Sequence, residues 1–158
     1  MTITKTTSEN PDFQKLTRLF DDYLVDIDGD EKDFFASYNN VYLDTVLVVY
    51  ENGEAIGCGA FKKFDKNTAE IKRMFVLPKQ RGKGLAKYIL NEIEDWASEM
   101  GYTNYILETS PKLESAIALY KKMGYEIIPN FKQYIDVENS MCMKKTPEAK
   151  PNGANDKK

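Results

Sequence analysis

The chain has 158 residues, 42% of them hydrophobic and 30% charged, a net charge of −3 and no histidine. This length and composition suit one globular domain with its own core, and an isoelectric point near 5.2 argues against a dedicated nucleic-acid binder. Without histidine, Ser-His-Asp and Cys-His catalysis and the commonest zinc sites are excluded, so acid–base chemistry falls to carboxylates, Tyr, Lys or Cys.

In chain order, Thr2 to Thr6 is β-branched enough for a first strand. Asn10-Pro11 has the form of a helix N-cap followed by Pro at the first helical position. Phe13, Leu16, Phe20, Tyr23, Leu24 and Ile27 then recur at helical spacing. A second short helix is predicted from Glu31 to Tyr38. Thr45 to Tyr50 reads as a strand, Asn52-Gly53 as a type I′ turn, and Ala55 to Phe64 as the returning strand. Asp65-Lys66-Asn67 turns the chain into an apolar strand from Thr68 to Leu77, which Pro78 ends.

A long amphipathic helix follows, with Leu85, Ile89, Ile93 and Trp96 on one face and Gly101 at its end. Tyr105 to Glu108 is a strand, Ala116, Leu119 and Tyr120 mark a further helix stopped by Gly124, and Tyr125 to Ile128 and Ser140 to Met143 are the last strands. The order βααβββαβαββ predicts an α+β fold, a sheet covered by helices. Residues 1–145 form the expected domain, and 146–158, rich in Pro, Lys, Asn and Gly, the expected disordered tail. No run approaches the roughly 20 apolar residues of a membrane helix, and no signal-peptide core opens the chain. Cys58 and Cys142 read as buried, reduced thiols, which suits a cytoplasmic protein.

Lys79-Gln80-Arg81-Gly82-Lys83-Gly84-Leu85-Ala86 lies between the strand that Pro78 ends and the long helix. Backbone N–H groups converge at such a turn, and the helix dipole favours negative charge there. Lys79, Arg81, Lys83 and Lys87 crowd it although the chain is acidic overall. The turn is therefore a phosphate site or an ordinary helix start with solvated lysines. A P-loop is excluded by the missing Gly-Lys-Ser/Thr, and antiparallel strands before the turn disfavour a dinucleotide fold.

Two motifs in this order resemble the GNAT N-acetyltransferase superfamily. Arg81-Gly82-Lys83-Gly84-Leu85-Ala86 is similar to its acetyl-CoA signature, and the run from Ala116 through Leu119-Tyr120 to Gly124-Tyr125 to its second one. The resemblance covers about residues 2–145. It implies a mixed, mostly antiparallel sheet with helices on both faces and strands 4 and 5 splayed at the cofactor site. It implies acetyl-CoA as co-substrate and no metal. The donor would be held by Arg81, Gly82, Lys83, Gly84, Leu85, Ala86 and Tyr120, with the main chain of Met74, Phe75 and Val76 pairing with the pantetheine arm.

By the same resemblance Glu70 is the general base and Tyr120 the donor to the departing thiolate; read alone, they are a solvent-facing strand residue paired with Lys72 and a core aromatic. Leu113 departs from the family, which often has a polar Asn there, so backbone or Ser110 must replace that contact. Asp21, Asp22, Asp26, Asp28, Asp30, Glu31 and Asp33 would attract a cationic amine or form a solvated acidic edge; the spacing does not fit a calcium loop. Phe131 and Tyr134 either line an acceptor pocket or cover the sheet edge. The implied function is acetyl transfer to a small-molecule or peptide amine by direct attack in a ternary complex, by a monomer or homodimer with neither nucleic-acid nor membrane partner. The competing reading is a non-catalytic acyl-CoA-binding module.

Overall fold

The computed structural model describes residues 1–28, 41–137 and 139–147. The predicted helix over Glu31 to Tyr38, the later part of the acidic run and the tail from residue 148 lie outside the described residues. Seven strands, β1 (Thr2–Thr6), β2 (Val46–Glu51), β3 (Glu54–Asp65), β4 (Thr68–Val76), β5 (Asn104–Thr109), β6 (Glu126–Ile128) and β7 (Met141–Lys145), form one sheet in the order β1-β2-β3-β4-β5-β7-β6. The β4–β5 pair is parallel and the other neighbouring pairs are antiparallel. The α-helices among the described residues are α1 (Pro11–Asp28), α2 (Leu85–Glu99) and α3 (Glu114–Lys122).

Local chemistry sets the boundaries. Asn10 Oδ1 accepts from the N–H groups of Asp12 (2.9 Å) and Phe13 (3.0 Å), capping α1 where Pro11 opens it. Asn52 and Gly53 have φ of 52° and 80°, the left-handed pair a type I′ hairpin requires. Strand alternation then sorts the core into two layers. Val46, Val48, Cys58 and Ala60 pack with Phe13 and Leu16 of α1, whereas Leu47, Val49, Phe61 and Ile71 pack with Ile89, Leu90 and Ile93 of α2. β7 extends past the predicted Met143 because Lys145 is held in place: its ammonium donates to Glu94 of α2 at 2.7 Å.

Two irregularities in β4 shape the site. Against β3, Cys58 pairs with Phe75 but Ala60 pairs with Lys72, so β4 carries one extra residue. Arg73 takes up this bulge with φ of 56°. As a result Lys72 and Arg73, consecutive in sequence, both face the α1 side of the sheet. Against β5, pairing runs from Thr68–Asn104 to Ile71–Leu107 and stops there, although β4 continues to Val76 and β5 to Thr109. The two strands splay beyond that point.

Both cysteines are free and fully buried. Burial pushes the Cys58 thiol up to about 12 and that of Cys142 to about 11. The folded state therefore favours the thiol. This contribution is whole below the ordinary thiol range and is lost as pH rises through that range toward these values. Iodoacetamide at pH 8 should leave both cysteines unmodified in the native protein and alkylate both in denaturant, read by intact mass; native alkylation of either would contradict its burial.

Candidate functional site

The donor side is built from the glycine turn. A single 3-10 turn, Pro78–Gln80, leads from β4 to Arg81, Gly82 and Gly84, with φ of 80° at Gly82 and 82° at Gly84. Gly84 is the N-cap of α2, and no side chain among the described residues caps it. The Tyr88 N–H donates to the Gly84 carbonyl (3.0 Å), which leaves the N–H groups of Leu85, Ala86 and Lys87 without an intrahelical partner. A Cβ added at Gly82 or Gly84 would meet nothing within 4 Å, so the backbone here faces open space. Unpaired N–H groups, helix dipole and exposed backbone make an anion cradle.

A cleft of about 650 Å³ runs from this cradle along the splayed end of β4 to α3. Met74, Phe75, Val76, Arg81, Gly82, Gly84, Leu85, Ala86 and Tyr120 line it, and so does Lys112, which the sequence reading missed. Lys83 is not among the lining residues; its ammonium donates to Gln80 Oε1 at 3.3 Å. Nor is Lys79, which pairs with Glu54 at 3.3 Å on the exposed surface. The Arg81 side chain does not project freely into the cleft either. Its Nε donates to the Val76 carbonyl at 3.0 Å, and its guanidinium lies over the rings of Tyr23 (5.0 Å) and Phe75 (5.6 Å). Of the four cations expected at the turn, Lys87 therefore remains the one that lines the cleft with no such tie among the described residues. The cradle relies more on backbone N–H groups than on side-chain charge.

A smaller cavity of about 90 Å³ opens at the splay. Phe20, Met74, Leu113, Ala116 and Tyr120 line both spaces, so the two meet at Tyr120. Glu70 lines the smaller one and is 2% exposed, not solvent-facing. Its Oε2 lies 3.5 Å from the Lys72 ammonium. Burial pushes the Lys72 pKa down, and the Glu70 charge opposes that shift. Glu108 of β5 lines the same cavity and accepts from Ser140 Oγ at 2.8 Å. Sequence reasoning named Lys72 only as a surface partner of Glu70 and passed over Arg73 and Glu108. The available signal was polar residues at strand positions that alternate with apolar ones on a sheet covered on both faces.

Tyr120 is both a core aromatic and a cleft residue. It is 7% exposed, and burial, then the Glu108 charge, raises its phenol pKa well above the ordinary value. The hydroxyl therefore keeps its proton and acts as a donor. Its ring meets Tyr125 edge-on at 5.8 Å. The Tyr125 hydroxyl donates to Glu94 Oε2 at 2.7 Å, so α2 and β7 brace Tyr120 from behind.

Leu113 lies at the start of α3. The Ser110 hydroxyl accepts from the Lys112 N–H (3.2 Å), which shapes the loop before that helix. Tyr134 lines the smaller cavity, whereas Phe131 packs on Phe64 (5.1 Å) and Tyr134 (5.6 Å). Asp21 pairs with Arg73 at 2.9 Å, which spends one carboxylate of the acidic run within the fold.

A parallel β4–β5 pair that parts into a cleft, with an anion-cradling turn beside it, defines a class of α+β fold that offers a strand edge and an anion site to one ligand. Residues 10–125 match the Acetyltransferase (GNAT) family. The chain belongs to that family. It is 36% identical over 103 residues to the uncharacterised N-acetyltransferase YsnE of Bacillus subtilis, covering 64% of this chain and 68% of that protein. With the uncharacterised N-acetyltransferase YjgM of Escherichia coli it shares 40% identity over 85 residues, 52% of this chain and 50% of that one. The chain thus spans about half to two thirds of these relatives.

Among solved structures, a candidate acyl-CoA N-acyltransferase of Klebsiella pneumoniae superposes with a TM-score of 0.77 at 28% identity, covering 92% of this chain and 96% of that one. A GNAT acetyltransferase of Elizabethkingia anophelis with acetyl-CoA bound gives 0.68 at 21%, covering 92% and 97%. Among the described residues no helix is long and apolar enough to cross a membrane.

Proposed function

We propose that the protein transfers an acetyl group from acetyl-CoA to the amine of a small molecule or peptide. The observation that carries this reading is the meeting of the two cavities at Tyr120, one running to an anion cradle and the other lined by the buried Glu70 and the half-buried Glu108. The acetyl-CoA held by the Elizabethkingia protein supports the choice of donor. The residues present fit it: N–H groups of Leu85, Ala86 and Lys87 for the pyrophosphate, Gly82 and Gly84 for close approach, and Met74 to Val76 as a free strand edge for the pantetheine arm.

When bound, acetyl-CoA supplies a thioester whose carbonyl carbon accepts the amine and whose sulfur leaves. A neutral amine is needed, so Glu70 takes the ammonium proton directly or through water and passes it to solvent. N–H groups at the bulged end of β4 stabilise charge on the carbonyl oxygen. Tyr120 donates a hydrogen bond or its proton to the departing sulfur. The carbon–nitrogen bond forms as the carbon–sulfur bond breaks, the remaining excess proton leaves the nitrogen and reaches the sulfur through Tyr120 or water, which restores the phenol, and the products are an N-acetyl amine and the free thiol. Cys58 and Cys142 are buried and protonated, which favours direct attack over an acyl-enzyme.

Thiol release from acetyl-CoA across an amine panel tests the reading. Coenzyme A that binds without thiol release from any amine would instead favour the non-catalytic binding module. Glu70→Gln is expected to lower kcat/KM by about a hundredfold, most strongly at low pH where the amine is protonated. It also leaves Lys72 buried without its counter-charge, which destabilises the fold. Adding Lys72→Met should restore the melting temperature but not the rate. A pH profile parallel to wild type would remove Glu70 as the base.

A further inference from the structure

The acceptor cavity contains one group that neither the fold nor the transfer step explains. Arg73 sits on the β4 bulge with its side chain 3% exposed. Its Nη2 donates to the Thr17 carbonyl (3.0 Å) and to Asp21 Oδ1 (2.9 Å), and the Phe20 ring covers the guanidinium at 5.0 Å. Nε and Nη1 are buried and have no hydrogen-bond partner among the described residues. A guanidinium carries five N–H donors and keeps its charge at any accessible pH. Two are used here and three are not, a costly state for buried donors.

We propose, on the reading of this cavity as the acceptor end, that Arg73 recognises a carboxylate on the acceptor, and that the substrate class is a small amino carboxylic acid with an apolar body. The rest of the cavity complements such a molecule. Glu70 and Glu108 supply negative charge for its ammonium group, and Leu24, Leu113 and Tyr134 supply apolar wall. Arg73 itself lines this cavity, so its side chain is part of the wall that a molecule held there meets. A polyamine or plain alkylamine would instead leave the three donors unpaired and add positive charge beside Lys72 and Arg73.

The test measures binding and turnover separately on matched probes: leucine, leucinamide and isoamylamine, each titrated calorimetrically in saturating coenzyme A and each assayed with acetyl-CoA. Leucine is expected to bind about ten- to a hundredfold tighter than the other two, as a charge-assisted pair allows. Arg73→Lys should erase most of that preference while coenzyme A affinity and melting temperature stay near wild type. Equal or weaker binding of leucine, no binding by any probe, or a preference that survives in a folded Arg73→Lys protein overturns the proposal. Selective leucine binding without thiol release would uphold the carboxylate site and refute the transferase reading. Acetylation of isoamylamine in preference to leucine would do the reverse.

Discussion

Gly84→Glu is expected to abolish coenzyme A binding, lowering affinity at least about a hundredfold by calorimetry. Two effects combine. Gly84 has φ of 82°, where a non-glycine residue costs roughly 1–2 kcal/mol. Because a Cβ there would meet nothing within 4 Å, the strain is conformational and not a clash. The larger effect is the carboxylate, placed at a helix start whose free N–H groups would otherwise face the pyrophosphate. Gly84→Ala separates the two. It carries the same backbone strain, should melt a few degrees lower as Gly84→Glu does, and should lose about tenfold in affinity or less. An alanine variant as defective as the glutamate one would show that strain alone disables the turn. Wild-type affinity in Gly84→Glu would mean the phosphates bind elsewhere.

Tyr120→Phe has the second-largest expected effect, and it falls on rate. The raised phenol pKa makes complete proton transfer to a thiolate unfavourable, so in the proposed mechanism the hydroxyl would act chiefly as a hydrogen-bond donor to the developing sulfur charge. A hydrogen bond to a charged group is worth about 1.5–3 kcal/mol, which converts to about a 10- to 150-fold loss in kcat. Coenzyme A affinity should stay within about threefold. The fold should be unaffected, because phenylalanine keeps the edge-on contact with Tyr125. Since burial keeps the phenol protonated, kcat should show no loss from Tyr120 ionisation up to about pH 10. An unchanged kcat would return Tyr120 to a purely structural role.

Residues whose effect is local were legible in the sequence. Asn10-Pro11, Asn52-Gly53, Gly101 and Gly124 each act through their own backbone, and each ends or turns an element where expected. The glycine turn was legible for the same reason. What stayed hidden depends on partners distant in sequence. No composition marks Arg73 as bulged, since an arginine with positive φ is imposed by the ladders on either side. Glu70 and Lys72 look like one polar face of a strand; only the packing of α1 over that face buries it. Arg81 looks like a phosphate ligand until β4 offers it the Val76 carbonyl and α1 offers it Tyr23.

The extra residue at Arg73 works as a phase shift within one strand. Before it, the side chains of 70 and 72 line the smaller cavity; after it, the β5-facing edge of 74–76 has no strand partner among the described residues, which is the edge proposed for the thioester arm. On the proposed function, the two halves of the reaction would thereby be written on one strand yet be separable. On that reading, substitutions at 72 and 73 would retune which amine is accepted without altering the edge proposed for the donor. A library confined to those positions and to the facing residues of β5 should change acceptor choice while leaving coenzyme A affinity constant, and a one-residue deletion at 73 should cost both at once.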